Sequence, residues 1–224
     1  MKIVDIKISR YCDKIHGIEI KEAERLKHQI DSKISSLNND ILKYQAKIDN
    51  GGLSDKKTAK LERKISDAQD RISNLNTSRA DIDRLGEDQN NTYALNHISG
   101  GEHHVKQGND GKVYIETSSD ALSLHEISHV RQSLDAGGLK FEKGKSLNAY
   151  YNGTPKEFSN MEIEAYQIQY SYDMSFPGKT SNLRGIDVHS VGNIWNSEKK
   201  AYQYQRIKNY SDYLKKAYKK FGKP

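Results

Sequence analysis

Residues 122–132 read LSLHEISHVRQ and contain the pattern H-E-x-x-H at His125, Glu126 and His129. On an α-helix, side chains four positions apart lie on one face, so the two imidazole rings can reach a single metal ion. Zinc suits this arrangement, because it accepts imidazole and carboxylate ligands and lowers the pKa of a bound water. Glu126 would lie beside that water and is the candidate general base. The stretch therefore predicts a metal-binding helix around which a catalytic site is built.

The flanking residues predict how this helix begins and ends. Residues 112–117 (KVYIET) read as a strand that follows the turn signal at 109–111. Residues 118–120 (SSD) offer N-caps for the helix, and the glycine pair at 137–138 can end it. Apolar residues occur on more than one side of the helix, which indicates that it is mostly buried.

Two further stretches, 92–98 (TYALNHI) and 102–107 (EHHVKQ), are candidate strands. With 112–117 they predict a short antiparallel sheet packed on the metal helix, whose edge could pair with the backbone of a peptide substrate. Neighbouring residues in a strand point to opposite faces, so His103 and His104 cannot share one metal site. We interpret these two residues and His97 as ordinary polar strand residues.

A third ligand is predicted on the helix-like stretch 157–172. Its apolar stripe contains Phe158, Met161, Ala165, Ile168 and Tyr172. Glu162 lies at the edge of this stripe, whereas Glu164 lies about 200° around the helix from it. The carboxylate of Glu162 is therefore the preferred third ligand, and Glu164 is the alternative.

In these residues the chain resembles the gluzincin branch of the zinc metallopeptidases, in which a glutamate from a second helix follows H-E-x-x-H. The sequence E-x-x-A-Y at 162–166 is similar to the E-x-x-A-D glutamate helix of several such families. Across about residues 90–196 the resemblance is closest to the small metallopeptidase domains at the ends of bacterial secreted toxins and effectors. Two departures stand out: the metzincin extension is missing, with Gln132 and Asp135 in its place, and Tyr166 replaces the aspartate.

The resemblance implies a zincin-like fold with zinc held by His125, His129 and Glu162, and with Glu126 activating the attacking water. It also implies a downstream histidine or tyrosine that stabilises the oxyanion. The candidates for that role by side-chain chemistry are His189, Tyr150 and Tyr151.

The N-terminal part of the chain predicts two long helices. Apolar residues repeat in steps of four and three along 21–49 and again along 55–85, which is a heptad seam. A glycine pair at 51–52 breaks the pattern, and Arg79 interrupts the second seam. The pattern predicts an antiparallel coiled-coil hairpin that serves as a partner-binding arm, a dimerisation device or a spacer.

We therefore predict an α+β protein with four parts: an N-terminal arm (1–20), the coiled-coil hairpin (21–86), a zincin-like metallopeptidase domain (90–196) and a basic, tyrosine-rich C-terminal helix (197–224). Only 34% of the residues are hydrophobic and 29% are charged, so part of the chain should be extended and solvated. Residues 198–224 contain nine Lys or Arg and two acidic residues. We interpret them as a packed helix with a solvated lysine-rich face, so a nucleic-acid partner is not expected.

The single cysteine, Cys12, excludes an intrachain disulfide, and no run is apolar enough for a membrane span. The first residues lack the apolar region of a signal peptide. We expect a soluble protein that is cytoplasmic or exported by a route that needs no such signal. The expected function is a zinc-dependent peptidase acting on a protein or peptide. The alternative is a coiled-coil interaction protein with a catalytically inactive zincin domain.

Overall fold

The computed structural model describes residues 17–100, 103–141, 147 and 153–222. Residues 1–16, which belong to the predicted N-terminal arm and include Cys12, and the oxyanion candidates Tyr150 and Tyr151 lie outside these described residues. No helix in the described part of the chain combines the length and the apolar character that a membrane crossing requires.

Two long helices open the described chain, as the heptad patterns predicted. Helix α1 spans Ile20–Asp49 and helix α2 spans Asp55–Glu87. Gly51 and Gly52 in the turn between them both have positive φ, which glycine adopts without a steric penalty. We refer to α1 and α2 as the helix pair.

The helix pair packs in opposite directions along its apolar seams. Ion pairs join Lys27 to Asp83 at 2.7 Å and Arg79 to Asp31 at 3.1 Å, so the beginning of α1 lies beside the end of α2. The polar residue that interrupts the second seam, Arg79, thus has an acidic partner on the other helix. The fully or nearly buried seam residues are Ile30, Leu37, Ala68, Leu75 and Ile82.

A four-stranded sheet follows the helix pair, in the spatial order β1-β2-β4-β3. Strands β1 and β2 are parallel, β2 and β4 are parallel, and β3 and β4 are antiparallel. The sheet is therefore mixed, and the predicted antiparallel sheet is wrong. The strands are β1 (Gly17–Ile18), β2 (Thr92–His97), β3 (His104–Gln107) and β4 (Val113–Thr117).

Two reversals of the chain account for the mixed topology. The tight turn in which Gly108 N donates to Lys112 O makes β3 and β4 antiparallel neighbours. The chain also reverses between β2 and β3, so β2 and β4 run in the same direction. Because β3 occupies one side of β4, β2 pairs with the other side, and this pairing is parallel.

Helix α3 (Asp120–Asp135) packs on this sheet, and helix α4 (Pro155–Asp173) packs on α3 and α2. The side chain of Ser119 accepts a hydrogen bond from Leu122 N and caps α3, as predicted. A complete capping box begins α4, in which Thr154 Oγ1 accepts from Glu157 N and the Glu157 carboxylate accepts from Thr154 N. Both helices are mostly buried, as the sequence indicated for α3.

The C-terminal region contains more than the expected helix. A 3₁₀ turn at Leu183–Gly185 leads to α5 (Val188–Gly192), which is capped by Asp187. An antiparallel hairpin of β5 (Trp195–Asn196) and β6 (Ala201–Tyr202) precedes helix α6 (Gln205–Phe221).

Trp195 lies beyond the end of α5, on β5, and is 55% exposed. Helix α5 is short because it packs closely against α6. A Cβ atom on Gly192 would lie 3.3 Å from the backbone of Ile207, so α5 ends where α6 crosses it.

One hydrophobic core extends from the helix pair through the sheet to helix α3. Its buried residues include Leu75 and Ile82 on α2, Ile115 on β4 and Leu124 on α3. The predicted boundary between the coiled-coil hairpin (21–86) and the zincin-like domain (90–196) therefore falls within one hydrophobic core. Buried side chains from before and after this boundary pack together.

Polar contacts also join α2 to the later elements. The Arg71 guanidinium donates two hydrogen bonds to Ser171 O in the last turn of α4, and Asn74 Nδ2 donates to Ser171 Oγ. Asp67 Oδ1 accepts from Leu183 N at the start of the 3₁₀ turn. Helix α2 is thus a common support for α4 and the segment that follows it.

The seam of the helix pair gives a direct test of this shared core. Ile82 is fully buried, whereas Leu42, on the outer side of α1, is 68% exposed. Ile82→Ala should lower the free energy of unfolding by about 2–5 kcal/mol. Leu42→Ala should change it by less than about 0.5 kcal/mol. Urea unfolding of both variants checks this, and equal effects would contradict the assigned seam.

Asp81 on α2 is only 6% exposed and faces Arg131 on α3, with Nε of the arginine 3.5 Å from Oδ1. Burial raises the pKa of Asp81 from its ordinary value of 3.8 to about 6. Arg131 opposes this rise, and the neighbouring carboxylates Glu164 and Asp135 add to it. The ionised form of Asp81 is therefore disfavoured in the folded protein.

This raised pKa predicts how stability depends on pH. The folded protein holds the Asp81 proton up to about pH 6, whereas the unfolded chain releases it near 3.8. The contribution of Asp81 to the free energy of unfolding is therefore highest below pH 3.8. It falls by about 3 kcal/mol as the pH rises through 6. In Asp81→Asn this loss disappears, so the variant should gain about 3 kcal/mol relative to wild type between pH 4 and pH 7. Urea unfolding at several pH values measures the difference, and a constant difference would contradict the prediction.

Candidate metal centre

The metal helix α3 places His125 and His129 one turn apart on the face that meets α4. Both side chains are buried, and their rings meet edge to face with centroids 4.8 Å apart. The two Nε2 atoms lie 3.1 Å from each other. The spacing of four residues thus brings two imidazole nitrogens to one point, as the helical periodicity requires.

Helix α4 brings a carboxylate to the same point. Glu162 is only 3% exposed, with Oε2 3.8 Å from Nε2 of His125 and Oε1 3.7 Å from Nε2 of His129. The candidate ligand atoms of the three residues all lie within 4.8 Å of one another. Among the described residues this is the one group of three or more His, Cys, Asp or Glu side chains that could hold a metal ion.

Glu164, the alternative ligand, points away from this group. Its carboxylate accepts hydrogen bonds from Nε2 of Gln132 at 2.8 Å and from the guanidinium of Arg131. Its side chain is 42% exposed. The two glutamates therefore lie on opposite sides of α4, as their separation of two residues dictates.

The electrostatics of the site suit a metal ion. Burial, with a contribution from His129, keeps the pKa of His125 well below its ordinary value. The His125 ring is therefore neutral near pH 7, as a metal ligand must be. Two imidazole nitrogens and one carboxylate oxygen are also a common donor set for a divalent metal in proteins. The residues present fit such an ion.

Glu126 follows the first histidine and lines the cleft beside the ligands. Its side chain is half-buried and does not belong to the group of candidate ligands. Burial raises the pKa of Glu126, which His129 opposes and Glu162 reinforces. A carboxylate whose proton affinity is raised is well suited to accept a proton from water.

The three candidate ligands and Glu126 form the floor of an open cleft of about 700 Å³. One wall is the edge of the sheet, with His103, His104 and Val105. The opposite side is formed by the segment after α4 and by residues 196–204. The carbonyl of Val105 accepts a hydrogen bond from Leu147 N at 2.7 Å, so the chain itself already occupies one position along the edge of β3.

Two tyrosines connect the ligands with the far wall. The Tyr166 ring packs edge to face on His125, with centroids 4.5 Å apart. Its hydroxyl forms a 2.9 Å hydrogen bond with that of Tyr204, which also accepts from Nε2 of Gln203 at 3.0 Å. Tyr166, which stands where the resembling families have aspartate, therefore supports His125 through its ring.

The sequence did not identify Tyr204 as a residue of the cleft. It lies beyond the predicted boundary at residue 196, in a tail that contains several tyrosines without a distinguishing pattern. His189, an oxyanion candidate by chemistry, lies on α5 and forms a hydrogen bond through Nδ1 with Ser211 Oγ. It is not among the residues that line the cleft.

The strand histidines do not join the ligand group. His97 lies 3.5 Å from Asp120, and Nε2 of His104 lies 3.2 Å from the Glu116 carboxylate. Nε2 of His103 forms a hydrogen bond of 3.4 Å with Ser118 Oγ. Their side chains serve the sheet and the cleft wall.

No protein-family model matches the chain, and comparison with curated proteins and with solved structures finds no match. The site must therefore be interpreted from its own geometry.

This geometry distinguishes the two glutamates of α4 experimentally. Glu162→Ala removes a candidate ligand atom and should weaken binding of Zn²⁺, used as a probe, by more than about 100-fold, which exceeds the typical effect of losing an outer hydrogen bond. Glu164→Ala leaves the three candidate ligands intact and should still bind one ion per chain. Elemental analysis after dialysis measures the metal content. The reverse result would transfer the ligand role to Glu164.

Proposed function

We propose that this protein is a zinc-dependent metallopeptidase with a zincin-like catalytic region of the gluzincin type. The observation that carries the proposal is the convergence of His125, His129 and Glu162 beside Glu126 at the floor of an open cleft. A purely structural zinc site usually closes with four protein ligands, often cysteines. Here the described residues supply three, and these three line an open cleft.

A zinc ion held by the three ligands would supply a Lewis acid and a water of lowered pKa. Glu126 accepts a proton from the water as its oxygen forms a bond with the carbonyl carbon of the substrate. Glu126 then gives the proton to the leaving nitrogen as the C–N bond breaks. The products are a carboxylic acid and an amine, and the transfer of the proton to the nitrogen returns Glu126 to its ionised form.

Tyr204 is our candidate for stabilising the negative oxygen of the tetrahedral intermediate. It lines the cleft, and its hydroxyl is fixed by hydrogen bonds with Gln203 and with Tyr166, the tyrosine that packs on His125. The edge of β3 is the proposed support for an extended substrate backbone, in the manner of an added strand.

The helix pair, in this proposal, is a coiled-coil hairpin that offers a surface for a partner protein. Its support is the exposed Leu42 on the outer side of α1 and the decline of burial from the core towards the glycine turn. The resemblance to metallopeptidase regions of bacterial secreted toxins and effectors suggests the same biological class here.

The second candidate function is that of an interaction protein whose zincin region binds but does not cut. The same exposed side of the helix pair favours it. Glu126 argues against it, because a proton acceptor beside the open direction of the site has no use in binding alone.

Replacement of Glu126 tests the catalytic proposal. Glu126→Gln keeps all three ligands, so it should bind Zn²⁺ like wild type while cleavage of a peptide library falls by at least about 10²–10⁴-fold. Glu62→Gln, an exposed glutamate on α2, is the matched control and should cleave like wild type. Mass spectrometry of the library detects the products.

Normal cleavage by Glu126→Gln would show that the assigned base is wrong. If wild type binds zinc and cuts no peptide of a proteome-derived library, the interaction protein becomes the preferred function.

A further inference from the structure

The imidazole ring of His129 forms a hydrogen bond with Gln132, one turn further along α3. Its Nδ1 lies 2.8 Å from Oε1 of Gln132, and both side chains are buried. The other ring nitrogen, Nε2, faces Glu162 and His125. The contact with Gln132 is therefore on the side of the ring opposite the candidate metal position.

The rest of the Gln132 amide is fixed by helix α4. Its Nε2 donates to Met161 O at 3.1 Å and to the Glu164 carboxylate at 2.8 Å. These two acceptors use both N–H groups of the amide, so its oxygen must face the imidazole. An oxygen can only accept, and Nδ1 of His129 must therefore carry the proton. The lone pair of the neutral ring is then on Nε2, directed at the other ligands.

The acceptor Glu164 is itself held in place. Arg131 contacts its carboxylate, and the same guanidinium lies 3.1 Å from Asp135 and 3.5 Å from Asp81 on α2. The orientation of one imidazole thus depends on side chains from α2, α3 and α4. This is a continuous chain of contacts from the support helix to the candidate ligand.

His125 has a different arrangement. Gln169 partly offsets the lowering of the pKa of His125. Within the described residues, however, neither Nδ1 of His125 nor Oε1 of Gln169 completes a hydrogen bond of normal geometry. Gln169 Nε2 donates instead to Ser175 Oγ at 3.2 Å. Of the two histidines, His129 is the one whose Nδ1 forms a hydrogen bond of normal geometry.

We propose that Gln132 is a positioning residue of the metal centre, which fixes the tautomer and orientation of His129 while Met161 O and Glu164 fix the amide of Gln132. The inference rests on the proposed metal site and adds to it a residue that touches neither metal nor substrate. Outer hydrogen bonds of this kind typically change metal affinity by about 10- to 100-fold.

The test uses the full chain and the metal alone. Affinity for Zn²⁺ is measured by competition with a chelator, the visible absorption of the Co²⁺-loaded protein reports ligand geometry, and thermal unfolding reports stability. Gln132→Ala should bind Zn²⁺ about 10- to 100-fold more weakly and change the Co²⁺ spectrum. The matched control is Gln167→Ala, which removes a half-buried glutamine of α4 that donates to Ile186 O. It should leave affinity and spectrum unchanged, whatever it does to stability.

A charge exchange separates positioning from a general loss of packing. Gln132→Glu alone places a carboxylate beside that of Glu164 and should weaken Zn²⁺ binding to a similar extent. Adding Glu164→Gln restores a donor opposite the new acceptor and should recover most of the affinity and the wild-type Co²⁺ spectrum.

Wild-type affinity and spectrum in Gln132→Ala would overturn the inference while leaving the metal site in place. Failure of the double variant to recover affinity, with normal thermal stability, would overturn it as well. Absence of Zn²⁺ binding by the wild-type protein would overturn both the inference and the metal site on which it rests.

Discussion

The candidate ligand atoms of two imidazole rings and one carboxylate lie within 4.8 Å of one another, and all three side chains are buried. Such a group is costly to bury, because each polar atom loses its hydration and must find a partner inside the protein. Part of the compensation comes from neighbouring side chains such as Gln132, and part would come from a bound cation. The arrangement holds only while α3 and α4 keep their mutual position, since His125 and His129 lie on one helix and Glu162 on the other.

The remaining elements hold these two helices together. The sheet covers one side of α3, and α2 contributes Leu75 and Ile82 to the core beneath it. Arg71 fixes the last turn of α4, and Asp67 fixes the segment that continues into the cleft wall. The helix pair is therefore part of the framework of the site over its buried half, and only its outer end is available to partners.

Features that depend on local sequence could be predicted. The approximate bounds of α1 to α4 follow from periodicity and, for α3, from the cap at Ser119, which acts within one turn. The start of α4 at Pro155, with its cap at Thr154, lies two residues before the predicted stretch 157–172. The pairing of His125 with His129 follows from helical geometry, and the preference for Glu162 over Glu164 follows from the apolar stripe of α4. The bond from His129 to Gln132, three residues apart, was also within reach of the sequence, although its partners on α4 were not.

Features that depend on distant parts of the chain could not be predicted. The parallel pairing of β2 with β4 depends on which strand takes the centre of the sheet, and no turn signal records that choice. Tyr204 reaches the cleft only because α6 packs against α5 and α4, more than forty residues beyond the last ligand. No spacing rule connects it with His125.

The separation of Glu162 from Tyr204 along the chain also determines the order in which the parts of the cleft are synthesised. During translation the ribosome produces Glu162 before Gln203 and Tyr204, and at ordinary elongation rates of about 5–20 residues per second the delay is a few seconds. The ligands therefore emerge before the far wall of the cleft is available. The group of His125, His129 and Glu162 can form early, but the complete cleft forms only after Gln203 and Tyr204 have been synthesised and have packed. The order of synthesis thus places the far wall of the cleft after its floor.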